Sequence, residues 1–233
     1  MSLFRAFFFR SLLLNRRYFT DYLFGFFIKL LFFLAVLYQS GGEAAMVYGF
    51  LLWYLGAHLL SRMAGFFLEE AYLGTLPRLL ASPHSPLALV FTLALSELLV
   101  SLFWVAGLGL AAFAYGARLF SLFPGALFTG VLVLVAVFGL GLILLAASLR
   151  FKQVASLAEV VNFYLLLFSG FFVPLADLPM LFDLLNVLNP FTHLVAGRTL
   201  GLAATSGFWL FAGIVSFQLS LALAKRRGDL LDY

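Results

Sequence analysis

Three charged residues, Lys29, Glu97 and Glu159, fall inside long hydrophobic runs, where a charge at mid-span costs about 2.5–3.5 kcal/mol on insertion scales. Such groups line a polar path or a subunit interface. Alternatively they hold helices together, as an ion pair, an interhelical hydrogen bond or a side chain snorkelling to the headgroups. Gln153, Ser156, Glu159 and Asn162 recur at every third position. A three-residue step drifts round a helix, so these four make a slanting polar stripe rather than one face. Both readings stay open for the stripe and for the isolated charges. His58 reads as a packed, hydrogen-bonded side chain, and His84 and His193 stand alone near run ends. No His, Asp or Glu grouping has metal-ligand spacing, and neither an HExxH nor a GxSxG pattern occurs. Cysteine is absent. The chain therefore offers no catalytic residue and no metal site, and it reads as something other than an enzyme.

The elements that must position these residues are membrane helices. The sequence is 64% hydrophobic and only 10% charged, its mean hydropathy is strongly positive, and a soluble domain would carry roughly 25% charged residues. Runs long enough to cross a hydrocarbon core, at about 20 residues each, are Thr20–Tyr38, Ala44–Ala64, Leu87–Ala114, Leu122–Leu149, Val154–Phe172 and Gly207–Ala224. The expected fold is an all-α integral membrane domain over residues 1–233. It has six transmembrane helices, an interfacial helix over 1–18, and a broken, re-entrant helical segment over 173–201 between the fifth and sixth spans.

Lys and Arg set the orientation. Arg5, Arg10, Arg16, Arg17, Arg62, Arg78, Arg150, Lys152, Lys225, Arg226 and Arg227 gather on one side, against Arg118 and Arg198 on the other. Both termini are expected in the cytoplasm. Residues Ser2–Arg17 are aromatic and basic, the pattern of a helix lying in the interface or simply of a positive flank to the first span. No cleavable signal peptide is read there. Basic residues at helix ends do not form a nucleic-acid patch.

Two stretches depart from simple spans. In Leu165–Thr199, prolines at 174, 179 and 190 mark helix starts, with Asp177 placed to cap one of them. Met180–Leu188 is then a short helix, apolar along Leu181, Leu184, Leu185 and Leu188, too short to span and suited to the membrane edge. In Leu68–Pro86, Thr75 and Pro77 read as the start of a short helix whose Leu76, Leu79 and Leu80 form an apolar knob. The run Ser169–Pro179, the LNPFTH run (Leu188–His193), Arg198 and the segment Leu68–Pro86 together resemble ABC-2 type transporter permeases, the membrane subunits of a class of ABC exporters.

The resemblance implies a coupling loop docked on a partner ATPase, at Glu70, Gly74, Thr75, Leu76, Leu79, Leu80, Ser82 and Pro83. Where the family has an acid after Gly-Thr-Leu, this chain has Pro77. It also implies an external gate at Pro174, Asp177, Pro179, Asn189, Pro190 and Arg198. Lys29, Glu97, Gln153, Ser156, Glu159 and Asn162 would then lie on a translocation path or a dimer interface. Two permease chains, as a homodimer or with a second permease, would sit above two ATPase copies in a bacterial or archaeal inner membrane and export an amphipathic or lipid-like cargo (a drug, a lipid or a lipid-linked glycan). No phosphate-binding loop is present, so ATP and Mg are expected in the partner, and this chain itself binds no cofactor. A transporter or channel driven by an ion gradient, with Glu97, Glu159 and Lys29 as its relay, is the rival reading. A non-transporting membrane scaffold is the third.

Overall fold

The computed structural model describes residues 3–117, 125–151, 154–172 and 183–227. Its helices are α1 (Leu3–Arg17), α2 (Phe19–Ser40), α3 (Ala44–Tyr72), α4 (Leu76–Leu80), α5 (Pro86–Tyr115), α6 (Gly125–Ser148), α7 (Ala155–Leu167), α8 (Asp183–Leu188), α9 (Pro190–Val195) and α10 (Thr199–Arg227). No strand occurs among the described residues. Five helices are long and apolar enough to cross a membrane: α2, α3, α5, α6 and α10. The chain is a multi-pass membrane protein.

The run expected as a fifth span, Val154–Phe172, yields only the 13 residues of α7 as helix. The break has a local cause. Ser169 turns its hydroxyl back to the Leu166 carbonyl (2.6 Å) and accepts the Phe171 amide (3.2 Å), and Gly170 takes a left-handed conformation at φ +90°. Pro174, Asp177, Pro179 and Leu181 lie outside the described residues, as do Lys152, Gln153 and Arg118.

Other boundaries follow ordinary punctuation. Gly41 and Gly116 close α2 and α5 in left-handed conformations, which glycine adopts without a Cβ penalty. Ser85 caps α5 by accepting the Ala88 amide, with Pro86 in the first turn. The second expected span, drawn to Ala64, continues to Tyr72, so Glu69 and Glu70 stand on the last turns of α3 and not in a loop. The sixth, drawn from Gly207, begins at Thr199.

α3 and α6 form the buried centre. Met63 of α3 fills the space beside Gly141 of α6, and Tyr48 of α3 donates to the Ala126 carbonyl near the start of α6. Larger numbers therefore face larger numbers, and the two helices run parallel. α10 lies on the other side of α6, also parallel to it. Ser206 of α10 donates to the Leu132 carbonyl (2.7 Å), and one register step further on a Cβ at Gly139 would collide with the Trp209 backbone and one at Gly213 with the Gly139 backbone. Backbone-to-backbone approach of this kind is what small residues allow in a membrane bundle. α5 runs antiparallel to α3. Its middle faces His58 and Arg62, and Tyr115 near its end lies beside Gly42.

Candidate functional site

The charged residues sort into two separate places. The first is centred on Glu97 of α5, only 3% exposed. Its Oε1 accepts from Ser11 of α1 (2.9 Å) and from Arg62 Nε of α3 (3.2 Å), and its Oε2 pairs with His58 Nε2 (3.1 Å). Arg62 reaches on to Glu69 Oε1 (2.9 Å). Arg10 of α1 bridges Glu70 (2.6 Å) and approaches Glu69 (3.7 Å) while its guanidinium covers the Phe66 ring. Thr75 then donates to the second Glu70 oxygen (2.5 Å). One polar network thus joins α1, α3, α5 and the loop after α3.

This network explains why Glu97 is tolerated. α5 has 30 residues, about 45 Å of helix, and overruns a hydrocarbon core of about 30 Å. Glu97 lies about 16 Å along it from Pro86. An overhang at the Pro86 end would put Glu97 near the edge of the core instead of its middle. Glu97 is held by donors from α1 and α3, and two of them, His58 and Arg62, also line a groove.

The loop after α3 is a fixed turn. The Gly74 amide bonds to the Ala71 carbonyl and the Thr75 amide to the Glu70 carbonyl, with Gly74 left-handed at φ +66°; this is the paired closure that satisfies a helix C-terminus. Thr75, expected to cap α4 with its side chain, makes no such bond, because its hydroxyl is spent on Glu70. Leu76, expected as part of an outward knob, is 1% exposed and belongs to the chain's own core. Leu79 packs against that core as well. Ser82 is half-buried, Pro83 is exposed, and the side chain of Leu80 lies outside the described set. The projecting residues are Tyr72 and Leu73, 74% and 68% exposed, with Pro77 and Arg78 beside them. Hydropathy could not foretell this, since Leu73 and Leu76 differ only in which side of a tight turn they occupy.

The second place lies between α2, α3 and α7. Lys29 stacks over the Tyr54 ring (4.8 Å) and shares a cleft of about 140 Å³ with Glu159, Asn162, Ser61, Trp53, Phe32 and Phe163. A wider groove of about 380 Å³ continues from Lys29 and Ser61 to His58, Arg62, Tyr22 and Asp21. The stripe on α7 divides as its drift requires. Asn162 is buried, donating to Ser61 (3.3 Å) while its carbonyl accepts Trp53 Nε1 (3.2 Å). Ser156 and Glu159 face outward among the exposed Leu157, Val160 and Phe163. Among the described residues no hydrogen bond or ion pair joins Lys29, Glu97 and Glu159, so the structure does not assemble the three as a contact relay.

At the far end Asn189 and Pro190 are buried. Asn189 caps α9 by accepting the Phe191 amide (3.0 Å) and donates to the Leu165 carbonyl (3.2 Å). Thr192 donates to the Phe168 carbonyl (2.6 Å), and Trp209, well inside α10, donates to the Leu188 carbonyl (2.7 Å). Arg198 is exposed at the start of α10.

The family model for the ABC-2 type transporter matches residues 2–203, from α1 into the first turn of α10. The chain belongs to the ABC-2 type transporter family. Comparison with curated proteins returns no match. As an ABC transporter permease it is a membrane transport component and not itself an enzyme, and permeases of this family normally pair with an ABC ATPase. Both helix-breaking regions of this permease, the turn after α3 and the α8–α9 pair, lie inside the matched range.

Proposed function

We propose that this chain is the membrane half of an ATP-driven exporter, one of two permease chains above two copies of a separate ATPase that binds ATP and Mg. The observation that carries this reading is the braced, projecting turn after α3. Tyr72, Leu73, Pro77 and Arg78 offer an apolar and basic tip, while Glu70 ties that turn to α1 and, through Glu69 and Arg62, to the span bearing Glu97. A push on the tip is then delivered to three helices instead of being lost in a loop. The test is co-purification with candidate ATPases. Leu73→Asp and Arg78→Glu abolish the complex while the permease itself stays folded. Leu76→Asp would not serve, because it breaks the permease's own core. If no ATPase binds the wild type, or if both tip variants bind as well as it does, the reading fails.

The remaining geometry favours a six-crossing topology. α6 and α10 run parallel in contact, so the chain between them has to return across the membrane, and α7, about 20 Å at helical rise, with the non-helical residues 168–172 beyond it, supplies the return. With α2, α3, α5, α6 and α10 that makes six crossings and puts both termini on the arginine-rich side, the cytoplasm of a bacterial or archaeal cell. α8 and α9 dip from the opposite face and serve as the outer gate. The exposed face of α7 carries Glu159 and Ser156, and α2 beside it exposes Phe24, Phe27, Ile28 and Leu31. A second permease chain covers this face, with the Lys29–Glu159 cleft at the seam as part of an alternating-access path for an amphipathic cargo.

A further inference from the structure

The wedge between α1, the start of α2 and α5 has no part in the reading above. It is a groove of about 700 Å³ lined by Phe8, Leu12, Asn15, Arg16 and Phe19 on one wall and by Leu99, Val100 and Phe103 on the other. The first wall is a single helical stripe, its members three and four residues apart. α1 is held in place on its other faces, where Arg10 is bonded to Glu70 and Phe7 is packed edge-on against Phe66 of α3, while Ser11 is bonded to Glu97 of α5 beside the groove. The groove is in the size range of a ligand site.

We propose that this groove binds one anionic phospholipid of the leaflet at the arginine-rich end, its phosphate held by Arg16 and Asn15 and an acyl chain laid against Phe8, Leu12, Leu99 and Phe103. Charge complementarity selects the occupant. Arg16 is exposed and has no acidic partner among the described residues, whereas Arg10 and Arg62 are both paired. A guanidinium presents the fork that a phosphate accepts. The lining holds no carboxylate to receive an amine or choline, so a headgroup with net negative charge fits and a zwitterionic one leaves its cation unanswered. The apolar walls exclude a free phosphate ester as the natural occupant. Arg17, the next residue, turns instead onto the Tyr18 ring and is not part of the groove.

The test uses the full chain, purified in detergent and stripped of lipid, then offered phosphatidylglycerol or phosphatidylcholine with identical acyl chains. Native mass spectrometry counts retained lipid, and the unfolding temperature is followed in parallel. Wild type retains one phosphatidylglycerol per chain, about fivefold more readily than phosphatidylcholine, the factor expected of one arginine at an anionic surface. Arg16→Gln removes that preference. Arg17→Gln keeps it, and Leu12→Glu, which sets a carboxylate in the exposed rim, abolishes retention of the anionic lipid. Equal retention of the two lipids by wild type overturns the proposal. So does an Arg17→Gln loss matching that of Arg16→Gln, which would mark diffuse attraction to basic residues. Stabilisation by glycerol phosphate equal to that by the lipid also overturns it, since the walls would then contribute nothing.

Discussion

Glu97 shows how little of a buried charge's role is written near it in the chain. Its partners come from Ser11, His58 and Arg62, and no local spacing could have named them. The sequence supported only that an acid at that position needs a reason. Removing the charge tests the reason. Glu97→Gln leaves Arg62 without a buried counter-charge, and lowers stability by about 3 kcal/mol in detergent unfolding titrations. Replacing both members, Glu97→Leu with Arg62→Met, restores most of that loss, because the desolvation of two ions disappears with them. A double variant no better than the single would show that the carboxylate does more than balance Arg62. Thr75→Val is smaller in scale. It removes one hydroxyl from Glu70 and costs about 1 kcal/mol, again read by unfolding.

Among the elements, the pairing of α6 with α10 is the tightest joint. Gly139→Ala and Gly213→Ala each force a Cβ into the facing backbone and destabilise by about 1–3 kcal/mol, with the helices pushed apart. Gly109 is the control: nothing lies within 4 Å of a Cβ there, and Gly109→Ala is neutral or stabilising by up to about 1 kcal/mol through helix propensity. Glycine at 109 and glycine at 139 look alike in an apolar run, and only the neighbour decides which is required. Five of the spans and their order were legible from hydropathy, as was the Asn189-Pro190 start from residue type. The length of α7 was not. A continuous apolar run carries no signal against helix until Gly170, and glycines elsewhere in this chain sit inside helices without ending them. Which side of the turn after α3 faces outward was equally hidden, since a left-handed glycine reverses the chain within a single residue.

For the whole molecule, the parallel course of α3, α6 and α10 predicts sidedness. The natural sequence has no cysteine, so single cysteines report position without background. Tyr72→Cys and Arg226→Cys, both exposed, react with an impermeant maleimide from one face of the membrane, and Glu43→Cys and Arg198→Cys from the other. Labelling of Tyr72 and Arg226 variants from opposite faces would mean that α3 and α10 do not share a direction. The bond between Ser11 and Glu97 has a consequence for biogenesis. The two residues are 86 positions apart, so the ribosome has released α1, α2 and α3 before the carboxylate that joins α1 to α5 exists. Until α5 enters the bilayer, Ser11, His58 and Arg62 wait without their common acceptor. A nascent chain stalled in this interval has α1 tied to α3 through Arg10 and Glu70 and Arg62 paired with Glu69 alone, and it lacks the carboxylate that locks both helices onto α5.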